Sequence, residues 1–167
     1  MNIVNAIKIS LKQGVSIETV LGPNIGGGVG SDGIHDNSDN NKEIEINADK
    51  SRITQAISNI VGNAVKFTDR GTIRVESVVS VDKKRVEIKV CDTGNGIAED
   101  ILPNLFDKFV TKTPGNETKR GTGLGLFITK AIIDAHKGEI FAANNKEAVG
   151  ATFTIVLPSV YAAEKIR

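Results

Sequence analysis

The sequence predicts an α+β fold, an α/β sandwich in which helices cover one face of a mixed, mostly antiparallel sheet. Apolar and charged residues alternate over 73–79 and 85–90, and only the turn Asp82-Lys83-Lys84 separates these stretches, which is typical of a β-hairpin. Residues 49–67 and 124–137 repeat apolar residues with the period of a helix. Two further short alternating stretches follow the second helix and close the sheet.

The N-terminal segment, residues 1–41, is predicted to precede the folded domain. Residues 2–13 carry apolar residues four positions apart, which indicates a helix. Glycines and then Asp, Asn and Ser residues fill 22–41, which indicates a linker because no phosphate-loop motif is present. We therefore expect a helix and linker at 1–41, a domain at 42–158 and a tail at 159–167.

The domain is predicted to begin with a short strand and a long amphipathic helix. Residues 42–47 alternate isoleucine with charge, which indicates the strand. The helical pattern of 49–67 starts at an aspartate, a good N-cap residue, and places its apolar side chains on one stripe. Asn59, Asn63 and Lys66 lie nearly opposite that stripe.

The second half of the domain is predicted to hold one more long helix and a strand pair. A short helical piece is expected near Glu99–Leu102, and the polar residues 111–120 are expected to be mobile. The helix of 124–137 is expected to end with Gly138 at the C′ position. The closing strands are predicted at Glu139–Ala143 and Ala151–Leu157.

The composition limits the classes of function. The chain has 21 basic and 20 acidic residues, and a net charge of +1 provides no field to hold nucleic acid or an acidic membrane. The single Cys91 excludes an intrachain disulfide, and His35 and His136 are too far apart to suggest a zinc site or a Ser-His-Asp arrangement. No stretch approaches the ~20 apolar residues of a spanning helix. We expect a cytoplasmic chain without nucleic-acid partners or membrane contact of its own.

Asp92 is unusual because the alternation of side chains along its strand places it on the same face as the apolar residues. A carboxylate buried there needs a donor, and it suggests the floor of a pocket. Gly94 and Gly96, which follow it, allow positive φ and close backbone approach to a ligand. The alternative is an exposed aspartate in a turn.

Two further patterns suggest a phosphate site. Three alternate glycines at Gly121–Gly125 open a helix, and backbone amides at a helix N-terminus attract anions. Asn59 and Asn63 lie in a helix interior although asparagine is a poor helix former, so their presence there suggests a function. One such function is ligation of a hard cation by the amide oxygen. The alternatives are a glycine-rich bend and a solvated helix face.

Taken together, these motifs resemble the ATP-binding domain of sensor histidine kinases, which belongs to the GHKL superfamily and has the Bergerat fold. Residues 59–68 resemble its N box, 92–96 its G1 box, 105–109 its F box and 121–126 its G2 box. The resemblance extends from about Glu43 to Pro158. Four boxes in the right order are far more specific than any one of them.

The resemblance implies that the chain binds ATP and Mg²⁺. Asn63 is then the metal ligand, Lys66 neutralises phosphate charge as the second catalytic residue, Asp92 accepts the exocyclic amine of adenine, and 110–120 is a mobile lid. The lid's basic residues, Lys112, Lys119 and Arg120, would reach phosphate or be merely solvated. The other nucleotide contacts implied are Asn59, Phe67, Gly94, Gly96, Ile97, Phe109, Gly121, Thr122, Gly123, Leu124, Gly125 and Leu126.

The chain departs from the family pattern in two ways. No segment resembles the dimerising helix pair with its phosphoacceptor histidine, so residues 1–41 are interpreted as a remnant of the connection to that domain, or the chain acts in trans. Gyrase-type and chaperone-type ATPases of the superfamily have a glutamate four residues before the metal-ligating asparagine. Here Asn59 stands there, and an amide cannot serve as a general base.

We therefore expect the catalytic domain of a two-component histidine kinase that passes the γ-phosphate of ATP to a histidine on another domain or subunit. The expected partners are that histidine-bearing dimerisation domain, in cis or in trans, and then a response regulator. The alternatives are a stand-alone protein, either an anti-sigma-type serine kinase or an ATPase, and a nucleotide-sensing module without transfer activity.

Overall fold

The structure, a computed structural model, describes residues 13–21, 46–110, 122–146 and 149–160. It confirms the α+β class. None of the helices in this described part is long and apolar enough to cross a membrane. The elements in chain order are β1 (Val15–Leu21), α1 (Lys50–Phe67), β2 (Gly71–Val79), β3 (Arg85–Asp92), a short 3-10 helix (Leu102–Asn104), α2 (Gly125–Ala135), β4 (Glu139–Asn144) and β5 (Ala151–Pro158).

The five strands form one sheet in the order β1-β2-β3-β5-β4. Only β1 and β2 run parallel, and the other neighbours are antiparallel. The predicted hairpin of β2 and β3 is confirmed, with Ile73 opposite Asp92. The ladder between β3 and β5 extends to Cys91, which lies opposite Thr152. Asp92 therefore stands at the end of the central strand pair.

The hydrophobic core lies between the two helices and one face of this sheet. Because side chains alternate across a strand, Val75, Val90 and Phe153 share the covered face, and the opposite face carries polar residues such as Arg74 and Lys89. The predicted apolar stripe of α1 is confirmed. It buries Ile53, Ala56, Ile57, Ile60, Val61, Ala64 and Val65. Burying one isoleucine contributes roughly 1.5–3 kcal/mol, so this stripe fixes the position of α1 on the sheet.

Asp49 caps the N-terminus of α1, as the sequence predicts. Its Oδ1 accepts hydrogen bonds from the backbone N–H groups of Ser51 (2.9 Å) and Arg52 (3.1 Å) and from the Ser51 hydroxyl (2.7 Å). The hydroxyl contact of Ser51 and then the Arg52 amide hold the pKa of Asp49 below its ordinary value. The start of the helix is therefore defined by its own local sequence.

The strand β1 is not predicted, and two other expectations need correction. Residues 1–41 were expected to hold only a helix and a linker, but β1 belongs to the sheet through its pairing with β2. Residues 1–12 and 22–45 lie outside the described residues, and so does the helix predicted at 2–13 apart from Gln13, which is in a turn. Of the strand predicted at 42–47 only Ile46 and Asn47 are described, and neither is in a strand. The short helix predicted near residue 99 is a 3-10 helix at Leu102–Asn104.

The end of α2 also differs from the prediction. Lys137, and not Gly138, has the left-handed backbone conformation after the helix, with φ of 57°. The helix itself ends at Ala135, and His136 links it to α1. Its Nδ1 donates to the Ile132 carbonyl (2.7 Å), and its Nε2 accepts the Asp49 N–H (3.0 Å). Gly138 is needed because a Cβ there would lie 2.5 Å from the Val156 carbonyl oxygen.

Two glycine-to-alanine changes are expected to affect stability in opposite directions. Gly62 lies in the interior of α1 with nothing within 4 Å of an added Cβ, so Gly62→Ala should raise the free energy of unfolding by about 0.5–1 kcal/mol. Gly138→Ala forces the β4 entry away from Val156 and should lower it by about 1–3 kcal/mol. Urea unfolding of both variants measures these changes. If the two free energies of unfolding change equally, or in the reverse directions, the close contact at Gly138 is contradicted.

Candidate nucleotide site

The polar face of α1 approaches the start of α2. The Asn59 Nδ2 donates to the Gly125 carbonyl oxygen (3.3 Å) and lies 3.4 Å from the Thr129 hydroxyl, which itself donates to the same carbonyl (2.9 Å). Thr129 is fully buried. The contact joins the helix that carries the asparagines to the glycine-rich segment, as the phosphate-site hypothesis requires. The Asn59 amide serves here as a structural link.

Asn63 lies one turn further along α1 and is half-buried. Unlike Asn59, its side chain makes no hydrogen bond to any residue that the structure describes. Among the described residues, nothing competes with a ligand for its carboxamide oxygen. Amide oxygens are among the groups that hard divalent cations accept.

Lys66 and Phe67 end α1. The Lys66 ammonium lies 5.0 Å from the centroid of the Phe67 ring, and both side chains are half-buried. The Phe67 carbonyl accepts the Asn95 N–H (3.4 Å). The last turn of α1 is thus in direct contact with the loop that follows β3.

Asp92 is buried, with 5% of its surface exposed, which confirms the parity argument. Its Oδ1 accepts the N–H groups of Gly94 (2.9 Å) and Ala151 (3.3 Å). Burial raises the pKa of Asp92 above its ordinary value, although both backbone hydrogen bonds act in the other direction. No described residue donates to Oδ2, so the second oxygen can accept a hydrogen bond from a ligand.

The two glycines after Asp92 serve different purposes. A Cβ on Gly94 would lie 2.5 Å from the Phe67 carbonyl oxygen, so only glycine allows this approach of the loop to α1. Gly96 has φ of 72°, a conformation that side chains rarely adopt. Ile97, the next residue, packs against the core. Both glycines are required by the backbone path around Asp92.

The glycine-rich segment leads into α2 without a side-chain cap. Gly123 has φ of 68°, and its carbonyl accepts the Phe109 N–H (3.0 Å). The Leu124 N–H reaches the Thr122 hydroxyl at 3.4 Å, and no side chain caps the helix at Leu124. The first turn of α2 therefore presents backbone N–H groups, which attract anions. Leu126 points into the core and anchors the turn.

The remaining predicted residues are at the edge of the described site or outside it. Phe109 is 70% exposed and has φ of 64°. It lies at the surface, next to Val110, which is the last residue of this described range. The predicted phosphate contacts that lie outside the described residues are Lys112, Lys119, Arg120 and Gly121.

Residues that the sequence does not predict hold Asp92 from the side of β5. Ala151 donates its N–H to the carboxylate, and Asn145 donates its Nδ2 to the Asp92 carbonyl oxygen (3.0 Å). Gly150 lies against the same carbonyl, where a Cβ would be 1.9 Å from the oxygen. The only sequence signal for these contacts is the pair of asparagines and the glycine between two strands.

Comparison with known proteins identifies the family. Residues 48–160 match the family described as histidine kinase-, DNA gyrase B- and HSP90-like ATPase. The sensor protein KdpD of Clostridium acetobutylicum is 44% identical over 116 residues, which is 69% of this chain and 13% of that protein. The sensor histidine kinase CusS of Escherichia coli O157:H7 is 38% identical over 117 residues, 70% of this chain and 24% of CusS. The chain thus spans less than a quarter of either relative.

Solved structures agree. The catalytic domain of histidine kinase ThkA has a TM-score of 0.64 at 26% identity, with 87% of this chain and 80% of that chain covered. Full-length ShkA in complex with AMPPNP also has a TM-score of 0.64, at 28% identity, with 87% of this chain and 26% of ShkA covered. The chain belongs to the family of histidine kinase-, DNA gyrase B- and HSP90-like ATPases, and it carries a catalytic domain of the sensor histidine kinase type.

Proposed function

We propose that the chain binds Mg·ATP and presents the γ-phosphate to a histidine on another domain or subunit. The observation that carries this proposal is the environment of Asp92. One carboxylate oxygen is held by two backbone N–H groups, and the other accepts nothing from the described residues. A buried carboxylate with one available oxygen suits an amine donor such as the exocyclic amine of adenine.

The phosphate end of the nucleotide is proposed to lie between α1 and the start of α2. The Asn59 contact with Gly125 brings these helices together, and the uncapped first turn of α2 supplies N–H groups. Leu124 is the N-cap residue of α2, and Thr122 and Gly123 precede it. Lys66, at the end of α1, adds positive charge near the same region. ShkA, part of which is similar in fold to this chain, was solved in complex with AMPPNP, which supports nucleotide binding by this chain.

The residues present fit a magnesium ion. Asn63 offers a carboxamide oxygen without a competing hydrogen bond in the described part of the chain, and Mg²⁺ is commonly held by few protein oxygens together with substrate phosphates and water. When bound, the ion would neutralise charge on the triphosphate. The protein's own contribution is to orient the triphosphate through Asn63, Lys66 and the backbone amides. Lys112, Lys119 and Arg120 are proposed to add charge from the segment after Phe109.

Phosphoryl transfer depends mainly on positioning and charge neutralisation, so the domain need not supply a nucleophile. The acceptor histidine is proposed to come from a dimerisation domain, in cis or in trans, with a response regulator as the next partner. His136 does not suit the acceptor role because both ring nitrogens are engaged, with Ile132 and Asp49. Since ATP is the donor, we place this reaction in the cytoplasm.

An autonomous ATPase is disfavoured by Asn59. An amide cannot take a proton from water, and this one is engaged with Gly125 and Thr129. We therefore expect slow phosphate release by the chain alone.

Incubation with ATP labelled at the γ-phosphate tests the proposal. The chain alone should release little phosphate and acquire no label. Addition of a separately produced histidine-bearing dimerisation domain of a sensor kinase should give labelled acceptor, and the same acceptor with histidine replaced by glutamine is the control. Rapid phosphate release by the chain alone, without transfer, would instead identify an ATPase.

A further inference from the structure

Two adjacent asparagines, Asn144 at the end of β4 and Asn145 just after it, contact the end of β3 and the loop that follows it through their side chains. We propose that this asparagine pair positions the adenine-binding loop, residues 92–97, by holding it at its two ends. The hydrogen bonds of both side chains lie at this loop and the neighbouring turn, so we expect the pair to affect the binding of adenine more than that of the phosphates. The inference rests on the proposed function, since it assigns these residues to the adenine end of that site.

Asn144 holds the far end of the loop. Its Oδ1 accepts the Ile97 N–H (2.7 Å), and its Nδ2 donates to the Ile97 carbonyl (2.8 Å). One carboxamide therefore satisfies both backbone groups of one residue, as a paired strand would. A Cβ on Gly96 would lie 2.9 Å from the same Oδ1, so the loop is packed directly against this side chain.

Asn145 holds the near end. Its Nδ2 donates to the Asp92 carbonyl (3.0 Å) and lies 3.3 Å from the Val149 carbonyl, and its Oδ1 accepts the Thr152 hydroxyl (2.7 Å). The Asn145 N–H donates to the Gly150 carbonyl (3.0 Å). Every polar group of the side chain is thus used, which fixes its orientation.

The reason for this arrangement lies in the end of the ladder between β3 and β5. Regular pairing stops at Cys91 and Thr152, and the N–H of Ala151 donates to the carboxylate of Asp92. Asn145 supplies a donor to the Asp92 carbonyl at this point. The Asp92 backbone and its carboxylate are therefore held from the same turn, and the intervening glycines gain a defined path that they would not adopt alone.

The test compares ATP with inorganic triphosphate, both with Mg²⁺, by calorimetry. Asn144→Ala and Asn145→Ala should each raise the Kd for ATP about 3- to 10-fold, the value of one or two ordinary hydrogen bonds, and leave the Kd for triphosphate within about twofold. Ser80→Ala is the matched control. It removes hydrogen bonds to Asp82 and Arg85 in the β2–β3 turn, at the other end of the strand pair, and should change neither Kd.

A second variant keeps the test valid if an asparagine variant does not fold. Thr152→Val retains the shape of the side chain and removes the hydroxyl, which donates to the Asn145 Oδ1 (2.7 Å) and lies 3.3 Å from the Cys91 Sγ. It should therefore weaken ATP binding selectively, by a smaller factor. Equal losses for ATP and triphosphate, or no loss for ATP, would overturn the positioning role. Absence of ATP binding by the unmodified chain would instead refute the proposed function, so the two failures are distinguishable.

Discussion

Asn63→Ala is expected to abolish Mg-dependent ATP binding, raising the Kd for Mg·ATP about 100-fold or more. Changes in the outer shell of metal sites already reduce affinity by about 10- to 100-fold, and removal of a direct ligand should exceed that. Asn63 is half-buried, and unlike Asn59 its side chain makes no hydrogen bond among the described residues. Its expected role is therefore ligation rather than support of the fold.

The measurement is calorimetric titration of ATP into the variant with Mg²⁺ and with a chelator. Gln55→Ala, an exposed change on the same helix, is the control and should bind normally. The thermal midpoint of Asn63→Ala without nucleotide should match that of the unmodified chain. Unchanged Mg-dependent affinity would refute the metal assignment.

Asp92→Asn is expected to raise the Kd for adenine nucleotides about 10- to 100-fold, while inorganic triphosphate binds nearly as before. A hydrogen bond to a charged group contributes about 1.5–3 kcal/mol, and an amide presents its own donors to the amine of adenine. The triphosphate is proposed to bind to other residues, Asn63 and the first turn of α2. Equal losses for ATP and triphosphate would contradict an adenine-specific role for Asp92.

The same variant should not destabilise the nucleotide-free fold. An asparagine Oδ1 can still accept the N–H groups of Gly94 and Ala151, and the substitution removes a buried charge. Burial places the folded pKa of Asp92 above its unfolded value. The ionised form therefore reduces stability at neutral pH, and this penalty disappears as the pH falls through the folded pKa towards the unfolded pKa.

Thermal unfolding at neutral and acidic pH measures this effect. Asp92→Asn should be as stable as the unmodified chain at neutral pH, or more stable, and any advantage should shrink in acid. A variant less stable at neutral pH would show that the carboxylate serves the fold.

Most of the fold was predictable because its signals are local. The alternation in β2 and β3, the turn between them, and the capped amphipathic pattern of α1 each lie within one stretch of sequence. The strand β1 also alternates, with Val15 and Ile17 on one side, but a seven-residue strand beside a glycine-rich segment gives little signal by itself. Its place depends on parallel pairing with β2, more than fifty residues away.

The candidate site divides in the same way. Asp92 could be predicted because strand parity placed a carboxylate on the buried face, and the asparagines of α1 because they are unfavourable in a helix. Asn145 and Ala151 could not, because their contacts with Asp92 span more than fifty residues of sequence and depend on how β5 pairs with β3. The predicted reason for Gly138, a C′ position after α2, is wrong. A glycine is needed there because a Cβ would clash with the Val156 carbonyl oxygen on another strand.

Calorimetric titration of ATP into the unmodified chain, with and without Mg²⁺, tests the central proposal most directly. The site described here should bind ATP with Mg²⁺ and lose most of that affinity when the metal is chelated. Adenosine should bind weakly, since it reaches only the Asp92 end. Failure to bind ATP under either condition, or binding that is the same with and without the metal, would contradict the account.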